Sequence, residues 1–329
     1  MSAIRPQAAD RYHRKMFKEE IQPGMASRPL SQSEAIILRA SITESAWMAG
    51  EITLLNTSTQ SGQAINLGSS TLHTGRAADG RFRRRMAVNG TAFWLSETDS
   101  HASLSYDEMS AIATMGNQDY FDETVEAFFA QAWTLDMLRV GFNGTEIADT
   151  TDPDAHPKGE DVNIGWHAIA KEHDGGKQVI TTQLALGEAG DWKNLDALAN
   201  HLITQRIAEP FREDPRLVVL VGAELAAHQR LKLFNAADRP ADVNAAQMAV
   251  SSVAGRFAFV PPFMPGKRLA VTTLQNLHIY THELSRFVKA GFDEDRKEYA
   301  LSYLRNEGYA LGNAELYAAV DEGAMMLTD

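Results

Sequence analysis

At 329 residues, with 44% hydrophobic and 22% charged residues, the chain can hold one large domain or two medium ones, each with its own core. It has no cysteine, which excludes disulfides and thiolate metal sites, and no apolar run approaches the roughly 20 residues of a bilayer span. Residues 1–20 are polar and basic and lack the apolar core of a secretory signal, so a soluble, cytoplasmic protein is the expectation.

The net charge of −12 is unevenly spread. Residues 1–30 carry Arg5, Arg11, Arg14, Lys15, Lys18 and Arg28 against Asp10, Glu19 and Glu20, a net of +3. Arg81, Arg83, Arg84 and Arg85 form a cluster, and no further lysine or arginine occurs until Arg139. Residues 95–190 hold eighteen acids against four bases. Such segregation suits surfaces that meet oppositely charged surfaces on a neighbour. Solvated faces kept soluble by charge are the plainer alternative.

In chain order, residues 1–29 read as a detachable charged arm, broken by Pro23-Gly24 and Arg28-Pro29. A short helix is expected from Ser31 to about Ala49, capped by Ser33, with Ile36, Ile37, Ala40 and Trp47 as apolar positions. From Ile52 to Met109, Ser, Thr, Gly and Asn dominate, with short alternating pieces at Met86-Ala87-Val88 and Ala92-Phe93-Trp94-Leu95. So little periodicity cannot bury a core of its own. An extended β-hairpin arm lying on a neighbouring subunit would satisfy it, and a disordered linker is the alternative.

Tyr120–Val140 is the clearest helix. Phe121, Val125, Phe128, Ala132 and Leu135 recur at spacings of three and four, with Phe129, Trp133, Met137 and Leu138 widening the stripe. Asp119 is its expected N-cap and Gly141 its C-cap. An apolar face that broad predicts a central spine. The second half reads as α/β. Leu195, Leu198, Ala199, Leu202, Ile203 and Ile207 form an amphipathic helix stripe, and Leu217–Val221 is a continuous apolar run of the kind found in a doubly covered strand. Ala223–Phe234 reads as a helix. Strands are expected at Leu269–Thr273, Leu277–Thr281, Ser285–Ala290 and within Glu298–Arg305.

Catalytic signatures are missing. Lys177 and Lys267 each follow a glycine, but Lys171 and Pro261 stand where a phosphate loop needs its first glycine. There is no Gly-x-Ser-x-Gly elbow and no thiol nucleophile. Asp149, Asp152, Asp154, His156 and Asp161 form an oxygen-rich loop that matches no defined calcium motif. A solvated turn of Asp and Pro is the better reading of it. His167 and His173, six apart, do not share a helical face and read as packing or surface histidines. Arg81–Arg85 suit a protein contact better than nucleic acid phosphates, because the chain is acidic and the cluster lies in a loop.

Several blocks, in order and spacing, carry a family resemblance. One is Gly141-Phe142-Asn143-Gly144 with Asp149–Asp152, Asp161-Val162 and Gly165-Trp166. A second runs from Gly190-Asp191-Trp192 through Leu195–Leu198, Glu209-Pro210 and Glu213-Asp214-Pro215 to Leu217–Gly222, and Leu274–Tyr280 adds a third. From about Ser31 to Val320 the chain resembles the major capsid proteins of P-two-type tailed bacteriophages. The resemblance implies a non-enzymatic α+β protein of the Hong Kong 97-type capsid fold, with a long spine helix, an extended β-hairpin arm, a peripheral domain and an axial α/β domain. The divisions it implies are 1–29 as an N-terminal arm and candidate propeptide, 30–51 as an N-terminal helix, and 52–109 as the extended loop. Residues 110–189 would be the peripheral domain with its spine, 190–265 the axial domain, and 266–329 return strands of the peripheral domain.

The resemblance further implies a virion protein, assembled in the bacterial host cytoplasm as pentamers and hexamers, procapsid first and mature shell later. Its partners would be a scaffold protein with protease activity and a portal protein. It would enclose DNA without sequence-specific binding, and use no cofactor, metal or membrane. The scaffold protease would cut near Ser27, Arg28, Pro29 and Leu30. Arg81, Arg83, Arg84 and Arg85 would meet spine acids Asp119, Asp122, Glu123 and Glu126 of a neighbour, with Phe93, Trp94 and Leu95 sharing the contact. Two alternatives stand beside this reading. One is an encapsulin-like nanocompartment shell; the other, of a different class, is a metal-dependent hydrolase using the Asp149–Asp161 loop.

Overall fold

The computed structural model describes residues 6–17, 26–30, 34, 51–64, 74–83, 90–235 and 251–328. Helix α1 (Gln7–Phe17) is followed by strands β1 (Ala26–Pro29), β2 (Thr53–Thr57), β3 (Ser61–Gln63), β4 (Ala92–Trp94) and β5 (Ser96–Ser105). Helices α2 (Tyr106–Met115), α3 (Gln118–Asn143) and α4 (Trp166–Glu172) come next. Then follow β6 (Val179–Ile180), β7 (Leu184–Leu186), α5 (Leu195–Gln205), β8 (Val218–Val221) and α6 (Ala223–Asn235). The remainder is mostly strand: β9 (Ser252–Val253), β10 (Arg256–Phe259), β11 (Leu269–Thr272), β12 (Leu277–His282) and β13 (Phe287–Asp293). The last strands are β14 (Glu298–Leu311), β15 (Ala318–Val320) and β16 (Met325–Leu327).

Helix α3 is the predicted spine, about 39 Å long at 1.5 Å per residue. Its caps lie outside the expected positions. Asn117 supplies the N-cap by accepting the Tyr120 N–H at 3.0 Å, and the helix runs on to Asn143. Gly141 lies inside the helix, where a Cβ would collide with the Trp166 ring. Phe121, Val125, Phe129, Trp133 and Met137 line its buried face. They pack on a six-stranded sheet in which β1, β13, β14, β12 and β2 are successive neighbours and β5 also pairs with β14. A second six-stranded sheet, in the order β6-β15-β11-β8-β10-β9, holds a separate core with α5. Strand β8 lies between parallel β10 and antiparallel β11, as its unbroken apolar run predicts.

The structure corrects several boundaries. The expected loop over 52–109 is much shorter, because both of its ends are sheet strands. Thr53–Thr57 pairs in parallel with β12, and Ser96–Ser105 pairs with β14 along ten residues. The sequence Ser96-Glu97-Thr98-Asp99-Ser100-His101-Ala102-Ser103 has almost no apolar alternation, so this strand is stabilised by its long ladder with a core strand. At its end, Ser105 and Glu108 form a reciprocal capping box that starts α2. The axial boundary also moves. Leu269–Thr272 and Ala318–Val320, expected among return strands of the peripheral domain, pair with β8 and with each other in the second sheet. All four residues of β11 are buried, which only a strand inside a covered sheet achieves.

Residues 1–29 are not simply detached. Helix α1 buries Ala8, Ala9, Tyr12, His13 and Phe17 in the first core, and β1 pairs with β13. The expected helix over Ser31–Ala49 lies outside the described residues, apart from Glu34.

Candidate assembly interface

The arm emerges where β3 and β4 pair antiparallel, with Gly62 opposite Phe93. Phe93 is buried and stacks on Tyr280 of β12, centroids 4.0 Å apart and planes 10° from parallel. A Cβ on Gly62 would lie 2.7 Å from that ring, so glycine is what lets the two strands close over it. Leu95 joins Phe93, Ala64, Tyr280 and Ala310 in a small core under the arm. Trp94 takes the opposite face of the strand and is 66% exposed. Thus Phe93 and Leu95 root the arm in their own chain, and Trp94 alone of the three presents a large apolar surface outward. Farther along, Arg81 and Arg83 are exposed and make no ion pair among the described residues, and Phe82 between them is half-exposed. Arg84 and Arg85 lie outside the described residues.

On the spine, Asp119, Glu123 and Glu126 are exposed. Asp122 is different and leaves the expected acidic patch. It is buried, its carboxylate 2.7 Å from the Lys15 ammonium and 2.7 Å from Gln118 Nε2. That carboxylate is already committed to the chain's own N-terminal helix. At the candidate cut, Ser27, Arg28 and Pro29 are paired with β13, and the Leu30 N–H donates to the Arg286 carbonyl at 3.0 Å. Arg28 also bonds Glu34 at 2.8 Å.

The acidic loop is a turn. The Asp161 carboxylate accepts the Asp152 N–H at 2.7 Å, and Asp152 Oδ1 accepts N–H bonds from Asp154 and Ala155 at 3.0 and 3.1 Å. Its acids and His156 do not converge as a ligand set. Among the described residues the set that does is His167, Asp321 and Glu322. There the cations are already supplied. Lys171 Nζ lies 2.8 Å from Asp321, and the Arg268 guanidinium makes two 2.8 Å bonds to Glu322 while also donating to the Phe142 carbonyl at the end of the spine. The His167 bond and Lys171 hold the Asp321 carboxyl well below the usual range, burial opposing them. Burial pushes Glu322 up, and Arg268 more than offsets it. Burial lowers His167, so a neutral ring donates Nε2–H to Asp321 and accepts the Tyr317 hydroxyl at Nδ1. This network ties the spine and α4 to the second sheet. Sequence spacing could not reveal it, because 154 residues separate His167 from Asp321.

A second unforeseen pair lies inside β14. Arg305 and Glu307 are 1% and 2% exposed and bonded at 2.6 Å, with Ser100, the Tyr303 carbonyl and Tyr309 as further partners.

A long spine on a mixed sheet, with a second sheet beside it and an arm whose base is buried and whose outer face is not, defines a shell-subunit architecture. A chain of a satellite phage P4 procapsid that includes the size determination (Sid) protein superposes with a TM-score of 0.75, covering 99% of each chain at 19% identity. The fold is the Hong Kong 97-type α+β capsid fold. Residues 17–322 match the family described as "Phage major capsid protein, P2 family", and the chain belongs to that family. It is 30% identical to the capsid protein of Escherichia phage P2 over 159 residues, 45% of this chain and 44% of that relative. It is 24% identical to the major capsid protein of Serratia phage KSP20 over 266 residues, 74% of each. Such proteins form the icosahedral phage head.

Proposed function

We propose that copies of this chain close into an icosahedral shell of pentamers and hexamers around double-stranded phage DNA, each arm lying over a neighbour's spine. The split between Phe93 and Trp94 carries this reading: one anchors the arm at home, and its neighbour offers an exposed apolar face. Arg81 and Arg83 are suited to the exposed acids Asp119, Glu123 and Glu126 of an adjacent copy. Exposed pairs contribute only about 0–1 kcal/mol each, so burial of Trp94 has to share the work. Repetition of one modest contact around closed rings then supplies cooperativity that no single contact has.

In this reading assembly takes place in the host cytoplasm with a scaffold protein carrying protease activity, and a portal protein admits DNA. The shell's net negative charge lets DNA move without sticking. A cut near Ser27–Leu30 requires β1 to leave β13 first, because a protease takes its substrate as a free extended segment. Co-expression with the scaffold protease, followed by electron microscopy, tests the proposal. Closed uniform shells with a shortened chain are expected. Folded monomers in the presence of scaffold would defeat it, and shells filled with a protein cargo would point to a nanocompartment.

A further inference from the structure

The N-terminal helix is built as a ligand for the spine. Ala8 and Ala9 bring its backbone close, and Gln118 of the spine donates to the Ala8 carbonyl at 3.1 Å. Tyr12 lies edge-on to Phe121 of α3 and to Tyr299 of β14, with centroids 6.4 and 6.1 Å away. His13 packs between Phe17, Phe292 and Tyr299, and its Nδ1 is 3.2 Å from the Tyr299 hydroxyl. Lys15 closes the contact on Asp122. The groove therefore fits one kind of partner: an amphipathic helix with small residues at one end, an aromatic centre and a cation one turn on. Every one of these contacts is made by side chains within residues 8–17 or by the Ala8 carbonyl. None depends on the peptide chain continuing beyond Phe17.

We propose that residues 6–17 are a clasp that completes the first core and stays in its groove after the chain is cut behind it. Cutting and release are then separate events. A severed α1 keeps Tyr12, His13 and Phe17 buried and Asp122 neutralised, and the first half of the spine is uncovered only when something displaces the helix. Arg28, whose guanidinium lies 5.7 Å from the Phe17 ring centroid, adds a contact from β1 that a cut in that strand would weaken. The clasp bears on shells through the trimming reading above, whereas its chemistry stands on the groove alone.

The test avoids the natural protease. A site for a specific protease is inserted between Phe17 and Ala26, the folded, unassembled chain is cut, and the products are run by gel filtration. The expected result is that the N-terminal fragment co-elutes with the body. Separate elution of the fragment would overturn the proposal. Lys15→Glu, a change at a side chain that is 65% exposed, is expected to leave folding intact. It is expected to raise the freed fraction about threefold to tenfold, the range for a partly screened charge-assisted bond. The same retention with Lys15→Glu and with Tyr12→Ala would place the fragment elsewhere and also overturn it.

Discussion

Along β14, Arg305 and Glu307 find all their partners inside the chain, while on the arm Arg81, Arg83 and Trp94 face outward with none among the described residues. The first region has the chemistry of a finished monomer. A buried ion pair survives only because each lone pair and proton is matched, and losing one partner strands the other charge. The arm has the chemistry of half an interface. Its root is packed and its outer face is solvated, and in the proposed reading a second copy covers that face. In the proposed reading the first region answers for folding and the second for assembly, and mutations should separate the two.

The largest effect is expected at Glu307→Ala, which leaves Arg305 buried and unpaired and removes one of the two acceptors of the Tyr309 hydroxyl, the Met137 carbonyl being the other. A loss of about 3–5 kcal/mol should be read in denaturant unfolding of the unassembled chain. A loss below about 1 kcal/mol would mean that the pair is solvated and the contrast is false. Phe93→Ala comes next, at about 2–4 kcal/mol, because it empties the site against Tyr280.

The network joining spine and second sheet should be visible as a pH slope. Burial holds His167 below its ordinary 6.5, so the folded chain takes up that proton less readily than the unfolded chain. Its contribution is fully present above pH 6.5 and is lost as pH falls from there through the lower folded-state value. The Asp321 contribution, from a depressed carboxyl, persists to lower pH and is lost only below its ordinary 3.8. His167→Gln should flatten the decline in thermal stability between about pH 7 and pH 5, with His278, also lowered by burial, retaining part of it. An unchanged slope would take His167 out of the account. The smallest expected change in monomer stability, within about 0.5 kcal/mol, is at Trp94→Ala and at Arg81→Glu with Arg83→Glu.

Much of this organisation was legible in the sequence. The spine announced itself through the stripe Phe121, Val125, Phe128, Ala132 and Leu135, although the buried face turns through Phe129, Trp133 and Met137 and leaves Phe128 exposed, and β8 announced itself through an unbroken apolar run. The ten residues of β5 did not, since a strand held by its ladder to β14 needs no apolar period of its own. Ser105-x-x-Glu108, a capping box, was the available signal that the supposed loop ended before α2. The charge of the N-terminus suggests a detached arm, but Ala8, Ala9, Tyr12, His13 and Phe17 lie on one helical face and are buried. Helical spacing could not say that Asp122, expected in an outward acidic patch, turns toward Lys15 instead. The networks around Arg305 and Asp321 were out of reach because their members meet only in the folded chain.

The most direct test of the central claim combines Trp94→Ala, Arg81→Glu and Arg83→Glu in one chain, co-expressed with the proposed scaffold protease. Thermal unfolding and electron microscopy are then measured on the same preparation. The account predicts a chain that unfolds at the unmodified temperature and forms no closed shells. Closed shells at the unmodified yield would contradict it, because the outward face of the arm would then have no part in assembly.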